Sequence, residues 1–294
     1  MRMLAAIEAG GTKFVCGVGD AAGSRETARI ATRDPDATLA DVVAFLARAV
    51  DRHGPIAAIG IGSFGPLQLD PAAPDFGRIT TTPKPGWQGA DMPARLRAAL
   101  GVPVAIDTDV NAAALAEAAH GAGRGARSLA YVTVGTGIGV GLAMDGRPVH
   151  GLGHPEAGHL LLRRHADHGD FAGICPYHGD CLEGLASGPA IIAAWGGSLA
   201  TLPAGHPAWT VQADYLGQLC ATLILVAAPE HIVLGGGVLS QPSLLDAARA
   251  RTRERLAGYC AAWTDEAFAT RITAPGCTEP PGLTGAYMLA AAIA

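Results

Sequence analysis

The stretch LAAIEAGGTKFVCGV, residues 4–18, is an apolar run that stops at Glu8-Ala9-Gly10-Gly11-Thr12-Lys13 and resumes at Phe14. A turn at Asp20-Ala21-Ala22-Gly23 follows. Strand, glycine-rich break, strand and turn read as a hairpin whose tip exposes backbone N–H groups. Gly10 and Gly11 bring no Cβ to keep an anion away, and Thr12 and Lys13 add donors. Taken alone, the stretch reads equally well as a plain hairpin turn. The pattern returns half a chain later. LAYVTVGTGIGVGLA, residues 129–143, breaks at Gly135-Thr136-Gly137-Ile138-Gly139, and Asp145-Gly146 turns. Two copies of one supersecondary unit predict two domains of shared topology facing each other. Two such tips suit a polyphosphate better than a single phosphate. Neither is a Walker loop or a dinucleotide fingerprint, because no helix opens after the glycines.

Further along stands HPEAGHLLLRRHADHGDFAGICPYHGDCLE, residues 154–183. His159 with the run Cys175, His178 and Cys181 offers two imidazoles and two thiols, a set suited to closed tetrahedral zinc. Buried thiols or a disulfide are the alternatives. The remaining cysteines (Cys16, Cys220, Cys260 and Cys277) are scattered, unlike a disulfide framework. His165 and His168 are rival donors in a loop that reads as polar and solvated. Glu156 and Glu183 flank the ligands, so a metal knot here would shape a substrate wall without performing chemistry. A catalytic zinc would keep an open position.

The other segments alternate strand and helix. Residues 38–51 have helical spacing, and 56–61 form an apolar strand that runs into Gly62-Ser63-Phe64-Gly65-Pro66. Such a loop, at a strand's carboxyl end, is where open α/β sheets bind ligands. TTTPKPGW, residues 80–87, reads as a fixed loop because two prolines bracket Lys84. A strand over 102–106 meets Asp107-Thr108-Asp109-Val110-Asn111 and then an Ala-rich helix. Asp107 caps that helix or faces a ligand; two acids and an Asn exceed what one cap needs. Ser187-Gly188-Pro189 starts a helix, residues 211–228 form a long one, and 231–234 a strand that enters Gly235-Gly236-Gly237 and then Val238-Leu239-Ser240. Three glycines after a strand allow a ligand close to the backbone. The last segment, 280–294, is a small-residue helix expected to pack back on an earlier domain.

At 294 residues the chain has room for one large or two medium domains. A net charge of −5 and 16% charged residues leave no footprint for nucleic acid or an anionic membrane. No apolar run reaches the span of a bilayer, about 18 residues. No leader precedes the first strand, so the expected compartment is the cytoplasm.

Together, EAGGTK, the D-x-N element at 109–111, GTGIGVG at 135–141, E-x-G-H at 156–159, the metal run and the late GGG resemble the ROK family of sugar kinases. TTTPKPGW, DTDVN and CPYHGDCLEGLASGPA are closest to its bacterial fructokinase branch. The resemblance implies a two-domain α/β fold of the actin-like ATPase (ribonuclease H-like) type with a cleft between the lobes. It divides the chain into 1–118, with helix 281–294 packing back, and 119–280, with a metal-binding insertion at 154–183. It implies transfer from ATP to the 6-hydroxyl of a hexose, D-fructose first, with glucose, mannose or N-acylhexosamine as broader alternatives and a sugar-sensing regulator as another class. Asp109 matches the catalytic base, for which a carboxylate of ordinary pKa suffices. Gly65, Pro66, Thr108, Glu156, His159 and Glu183 match the sugar side, with Thr108 standing where the family has Asn. Gly10, Gly11, Thr12, Lys13, Gly135, Thr136, Gly137, Pro189, Gly236, Gly237, Val238, Leu239 and Ser240 match the nucleotide side. His159, Cys175, His178 and Cys181 match a structural Zn²⁺ site. Mg²⁺ accompanies ATP, and a homodimer is implied.

Overall fold

Both glycine-interrupted runs form antiparallel hairpins in the computed structural model, which describes residues 2–20 and 23–294. Two residues of the expected turn, Ala21 and Ala22, lie outside the described residues. The first half contains β1 (Met3–Ala9), β2 (Lys13–Asp20), β3 (Gly23–Ala31), α1 (Pro35–His53), β4 (Ile56–Ser63), α2 (Met92–Leu100), β5 (Val104–Thr108) and α3 (Asp109–His120). The chain continues through β6 (Ser128–Val134), β7 (Ile138–Met144), β8 (Arg147–Pro148), α4 (Leu182–Ala186), α5 (Gly188–Trp195) and α6 (Pro207–Ala227). It ends with β9 (His231–Gly235), α7 (Pro242–Leu256), α8 (Asp265–Arg271), β10 (Ile272–Thr273) and α9 (Pro281–Ala291).

The sheet orders are β3-β2-β1-β4-β5 and β10-β9-β6-β7-β8. In each, a hairpin strand runs parallel to the next strand inward: β1 beside β4, and β6 beside β9. The repeat seen in the sequence is therefore a repeat of topology. Chain contacts divide the molecule into two units. The first comprises the chain up to Gly121, then Gly146–Pro155 and Cys277–Ala294; the second comprises Ala122–Asp145 and Glu156–Gly276. Unlike the expected division after residue 118, Gly146–Pro155 groups with the first unit, which separates His154 from Glu156.

Small residues let helix lie directly on sheet in the first unit. A methyl at Gly60 would overlap the Ala286 carbonyl, and one at Gly285 would overlap that of Ala112. α9 thus sits tightly on β4 and α3, with Leu283, Ala286 and Ala290 buried. On the other face, α1 starts at Asp34, whose side chain accepts from the Ala37 N–H, and buries Leu39, Val42, Phe45, Leu46 and Ala49. In the second unit, α6 is long and apolar enough to cross a membrane by length and composition, contrary to the expectation drawn from apolar runs. Most of it is buried, with Val211, Leu216, Leu219, Leu223 and Ile224 in the core cluster.

Candidate active site

Three parallel strands of the first sheet end level with one another, since Ala9 pairs with Ser63 and Ser63 with Thr108. Gly10, Phe64 and Asp109 therefore follow side by side on the carboxyl edge of the sheet. Gly10 closes the tip by donating its N–H to the Lys13 carbonyl at 3.1 Å. A Cβ at position 10 would stand 2.8 Å from that oxygen, so the turn requires glycine. Thr12 and Lys13 are exposed. Asp109 opens α3 above Gly62, where a Cβ would come within 3.4 Å of the Asp109 Cα. Burial pushes the Asp109 carboxyl up to about 6, against the lowering effect of the Val110 N–H bonded to Oδ1 at 2.9 Å. On β1, burial and the Asp109 charge push the Glu8 carboxyl up to about 7, and Lys13 opposes them. The edge thus carries two carboxylates that ionise near neutrality.

Asp107, 2% exposed, is fully used. Its Oδ1 accepts from the Thr108 N–H at 2.7 Å and from Asn111 Nδ2 at 2.8 Å, while Oδ2 lies 3.0 Å from His150 Nε2. The bond to Asp107 raises the His150 pKa. The helix cap is Thr108, whose Oγ1 accepts from the Asn111 N–H at 3.1 Å. The capping role offered to Asp107 therefore belongs to its neighbour, and Asp107 instead fixes the junction that carries Asp109. Gly65 and Pro66 are held through the next residue, Leu67. His154 Nε2 accepts from the Leu67 N–H at 3.0 Å, and burial lowers the pKa of this imidazole.

In the second unit the other glycine tip gathers the remaining loops. Gly135 donates to the Gly137 carbonyl at 2.9 Å, and its own carbonyl accepts from the Gly188 N–H at 2.8 Å. This ties the tip to the start of α5, where Ser187 caps and Pro189 occupies the first turn. β6 and β9 are in register at Thr133 and Gly235, so Gly236 lies beside the same tip. Gly236 has φ 95° and stands against Val134, where a side chain would overlap backbone. Residues 237–240 form a short 3₁₀ turn. Gly135, Thr136, Gly137, Pro189 and residues 236–240 are therefore assembled in one place. Glu183 on α4 joins them: its Oε2 accepts from the Ile138 N–H at 2.8 Å.

The metal-binding set also converges. The donor atoms of His159, Cys175, His178 and Cys181 all lie within 4.8 Å of one another. His159 Nδ1 is 3.5 Å from Cys181 Sγ and 3.7 Å from Cys175 Sγ, and His178 Nδ1 is 3.7 Å from Cys175 Sγ. Tetrahedral zinc with bonds of about 2.0–2.3 Å has nitrogen–sulfur edges of about 3.6 Å, so the set fits such an ion. Burial pushes the Cys181 thiol up to about 11, and a cation would supply the charge its thiolate lacks. The rival histidines stand apart: the loop around them is largely exposed, as its polar pattern suggests, but His168 itself turns inward. His168 is buried, stacked on Trp195 and Phe171 at 5.4 and 5.2 Å, with Nδ1 2.8 Å from the Tyr215 hydroxyl. Glu156 is exposed at the start of the turn that carries His159.

Over residues 4–293 the sequence matches the ROK family. The chain belongs to the ROK family. It is 43% identical to the fructokinase of Zymomonas mobilis subsp. mobilis over 290 residues, 97% of this chain and 95% of that protein. The ROK hexokinase of Thermus thermophilus superposes with a TM-score of 0.78 at 29% identity, covering 99% of this chain and 98% of the other. A ROK glucokinase from Streptomyces griseus, solved with glucose and AMPPNP, gives 0.76 at 25% identity over 99% of both chains. The fold is thus the actin-like ATPase fold of ROK sugar kinases.

Within this ROK chain the first unit contains Gly10, Gly11, Thr12, Lys13, Gly65, Pro66, Thr108 and Asp109, while Glu156, His159 and Glu183 belong to the second. Four ionisable groups of the site do not stand out in the sequence: Glu8, Asp107 as a clamp, His150 and His154. Glu8 is the one charge in an otherwise apolar strand, and the HGLGH run at 150–154 holds two imidazoles four residues apart. Those are the signals that point to them.

Proposed function

We propose that this protein is a sugar kinase that transfers the γ-phosphoryl group of ATP to the 6-hydroxyl of D-fructose, giving D-fructose 6-phosphate and ADP. One observation carries the reading: a carboxylate held at the carboxyl edge of a parallel sheet, beside a glycine tip with a lysine, in a chain 43% identical to a fructokinase over nearly its whole length. ATP as donor is supported by the nucleotide analogue bound to the Streptomyces griseus relative.

In the step itself, the 6-hydroxyl gives its proton to Asp109 while its oxygen forms the new bond to phosphorus. The bond from that phosphorus to the bridging oxygen breaks, and its electron pair leaves with ADP. The transition state of such transfers is loose, so positioning and charge balance dominate. Asp109, with its pKa pushed up to about 6, is ionised at neutral pH yet a better proton acceptor than an ordinary carboxylate. Gly10 shapes the tip by closing onto the Lys13 carbonyl, Gly11 and Thr12 offer N–H donors to phosphate, and Lys13 adds charge. Gly65, Pro66 and Thr108 bind and orient the sugar on the first unit; Glu156, His159 and Glu183 do so on the second. Gly135, Thr136, Gly137, Pro189 and residues 236–240 hold the nucleotide. Mg²⁺ bound with ATP would offset the charge of the phosphates. His159, Cys175, His178 and Cys181 would hold zinc in a closed set that stiffens the sugar wall and leaves no position for chemistry. Free thiols throughout suit a reducing compartment such as the cytoplasm, and the family resemblance extends to a homodimer.

A coupled ADP-release assay over fructose, glucose, mannose and N-acetylglucosamine tests this reading. Fructose is expected to lead in kcat/KM by about tenfold or more. Preference for another hexose overturns the choice of sugar, and turnover with none of them overturns the kinase assignment.

A further inference from the structure

The loop at residues 80–87 has no part in the proton and phosphoryl transfers, yet it is anchored at both ends. Trp87 is fully buried, 5.5 Å from Phe14 and 5.3 Å edge-on from Phe64, and its indole N–H donates to the Arg33 carbonyl at 2.8 Å. At the other end the Thr80 N–H and hydroxyl both donate to the Pro66 carbonyl, at 2.8 and 3.1 Å. Between these anchors Pro83 and Pro85 restrict the backbone of Lys84, whose N–H donates to Thr82 Oγ1 at 3.3 Å.

The side chain of Lys84 then reaches over the Phe64 ring, with Nζ 6.0 Å from its centroid. It ends beside the first glycine tip. A methyl built on Gly11 would lie 4.0 Å from Lys84 Nζ and meet no other atom that near. An ammonium on a fixed backbone is thus aimed into open space above Gly11. Burial alone acts on its pKa, lowering it, with no carboxylate among the described residues near enough to offset the charge. Lys13 differs: it is exposed, and its charge acts on Glu8.

We propose that Lys84 binds the phosphoryl group in transit, its ammonium meeting the outer oxygens of the phosphate that lies over the Gly10-Gly11 tip. The inference rests on the kinase reading and adds a residue to it. The proton still goes to Asp109, the new oxygen–phosphorus bond still forms at the sugar, and the electron pair still departs with ADP. Lys84 forms no bond and balances charge that persists from ATP through the transition state to the sugar phosphate. An aimed cation in a partly dehydrated position needs little reorganisation as the phosphorus moves. Because neutral fructose carries no charge for it to meet, its contribution falls on turnover and phosphate binding, not on sugar binding.

Two variants separate this role from a structural one. Lys84→Met keeps the length and the contact with Phe64 but removes the charge; Lys84→Arg keeps the charge. For Lys84→Met, kcat with the best hexose is expected to fall about 100-fold, with the melting temperature within about 2 °C of wild type. Its calorimetric Kd for tripolyphosphate should rise about tenfold while that for fructose stays within about twofold. Lys84→Arg should recover at least about tenfold of the lost turnover. Unchanged tripolyphosphate affinity in Lys84→Met overturns the proposal, as does a joint fall of kcat and melting temperature that arginine fails to rescue. The kinase reading fails separately, if wild-type protein turns over no hexose; the tripolyphosphate titration still decides Lys84 in that case.

Discussion

At the tip between β1 and β2, Gly10 closes onto the Lys13 carbonyl; between β6 and β7, Gly135 closes onto that of Gly137. Each tip interrupts an antiparallel pair whose first strand runs parallel to another, β4 or β9. The strand pairing matches, but the tips differ in length, residues 10–13 against 135–137, and the surroundings differ more. Around the first tip stand Glu8, Lys13, Lys84 and Asp109, and burial shifts three of these four groups. Beside the second the ionisable neighbour is Glu183, whose Oε2 is committed to the Ile138 N–H. In the proposed kinase both glycine tips would face phosphate. Ionisable groups shifted by burial stand at the first tip, and on the proposed reading they would mark the place of proton and phosphoryl transfer, leaving the second tip to the rest of the nucleotide.

The sharpest way to break that contrast is Asp109→Asn. Its kcat should fall about 10³-fold, while fructose binding by calorimetry survives. An equal loss from Thr136→Ala at the second tip would erase the distinction. The same carboxylate sets the pH dependence. It must be ionised to accept a proton, so kcat/KM should drop about tenfold per pH unit below pH 6 and level off above. The stability sign is opposite. A carboxyl pKa raised in the fold means its charge is costly there, a cost fully present above about pH 6 and relieved as pH falls. Asp109→Asn should therefore unfold at a higher temperature than wild type at pH 8, by on the order of 1 kcal/mol of stability.

Cys175→Ser comes next. Bound zinc should be lost, the melting temperature lowered, and the KM for fructose raised about tenfold. Cys181 lies two residues before Glu183, so the second tip should loosen and the KM for ATP rise as well. The pH midpoint assigned to Asp109 should not move. Retention of stoichiometric zinc would dismiss the ligand set. The mildest test pairs two glycines. In Gly11→Ala the new methyl meets only Lys84 Nζ at 4.0 Å, so the variant should fold normally yet lose activity several-fold by filling phosphate space. In Gly137→Ala the methyl stands 2.6 Å from Glu183 Oε2, so the melting temperature should fall by about 2–4 °C with more turnover spared. Reversed behaviour would mean that the two tips had been given each other's roles.

Much of this is legible in the sequence where glycine interrupts an apolar run, because such breaks have few physical explanations. Both hairpins and the strand that runs into Gly62 are of that kind, while proline after Ser187-Gly188 and the spacing of Cys175, His178 and Cys181 are equally specific signals. Elements whose pattern is mostly polar escape notice. β3 is an exposed edge with only Ile30 buried, and α7 buries Leu244, Ala248, Thr252 and Leu256, a stripe too thin to stand out among its arginines. His168 looks solvated in sequence because the rings that enclose it, Trp195 and Tyr215, lie far along the chain. Lys84 is visible between its prolines, but its target, Gly11, is set by tertiary packing. The elevated Asp109 pKa likewise arises from burial, which no spacing encodes.

The packing of α9 has a consequence for biosynthesis. The helix lies on β1, β4 and α3, yet the ribosome makes it only after every residue of the second unit. The nascent first unit must wait with Gly60 and Ala112 uncovered while the segment made later acquires its full complement of strands and helices. For this molecule the order of synthesis and the order of completion are therefore inverted: the unit whose strands are translated first is sealed only after the other is made, and a message truncated before codon 281 would leave it permanently open to chaperones and proteases.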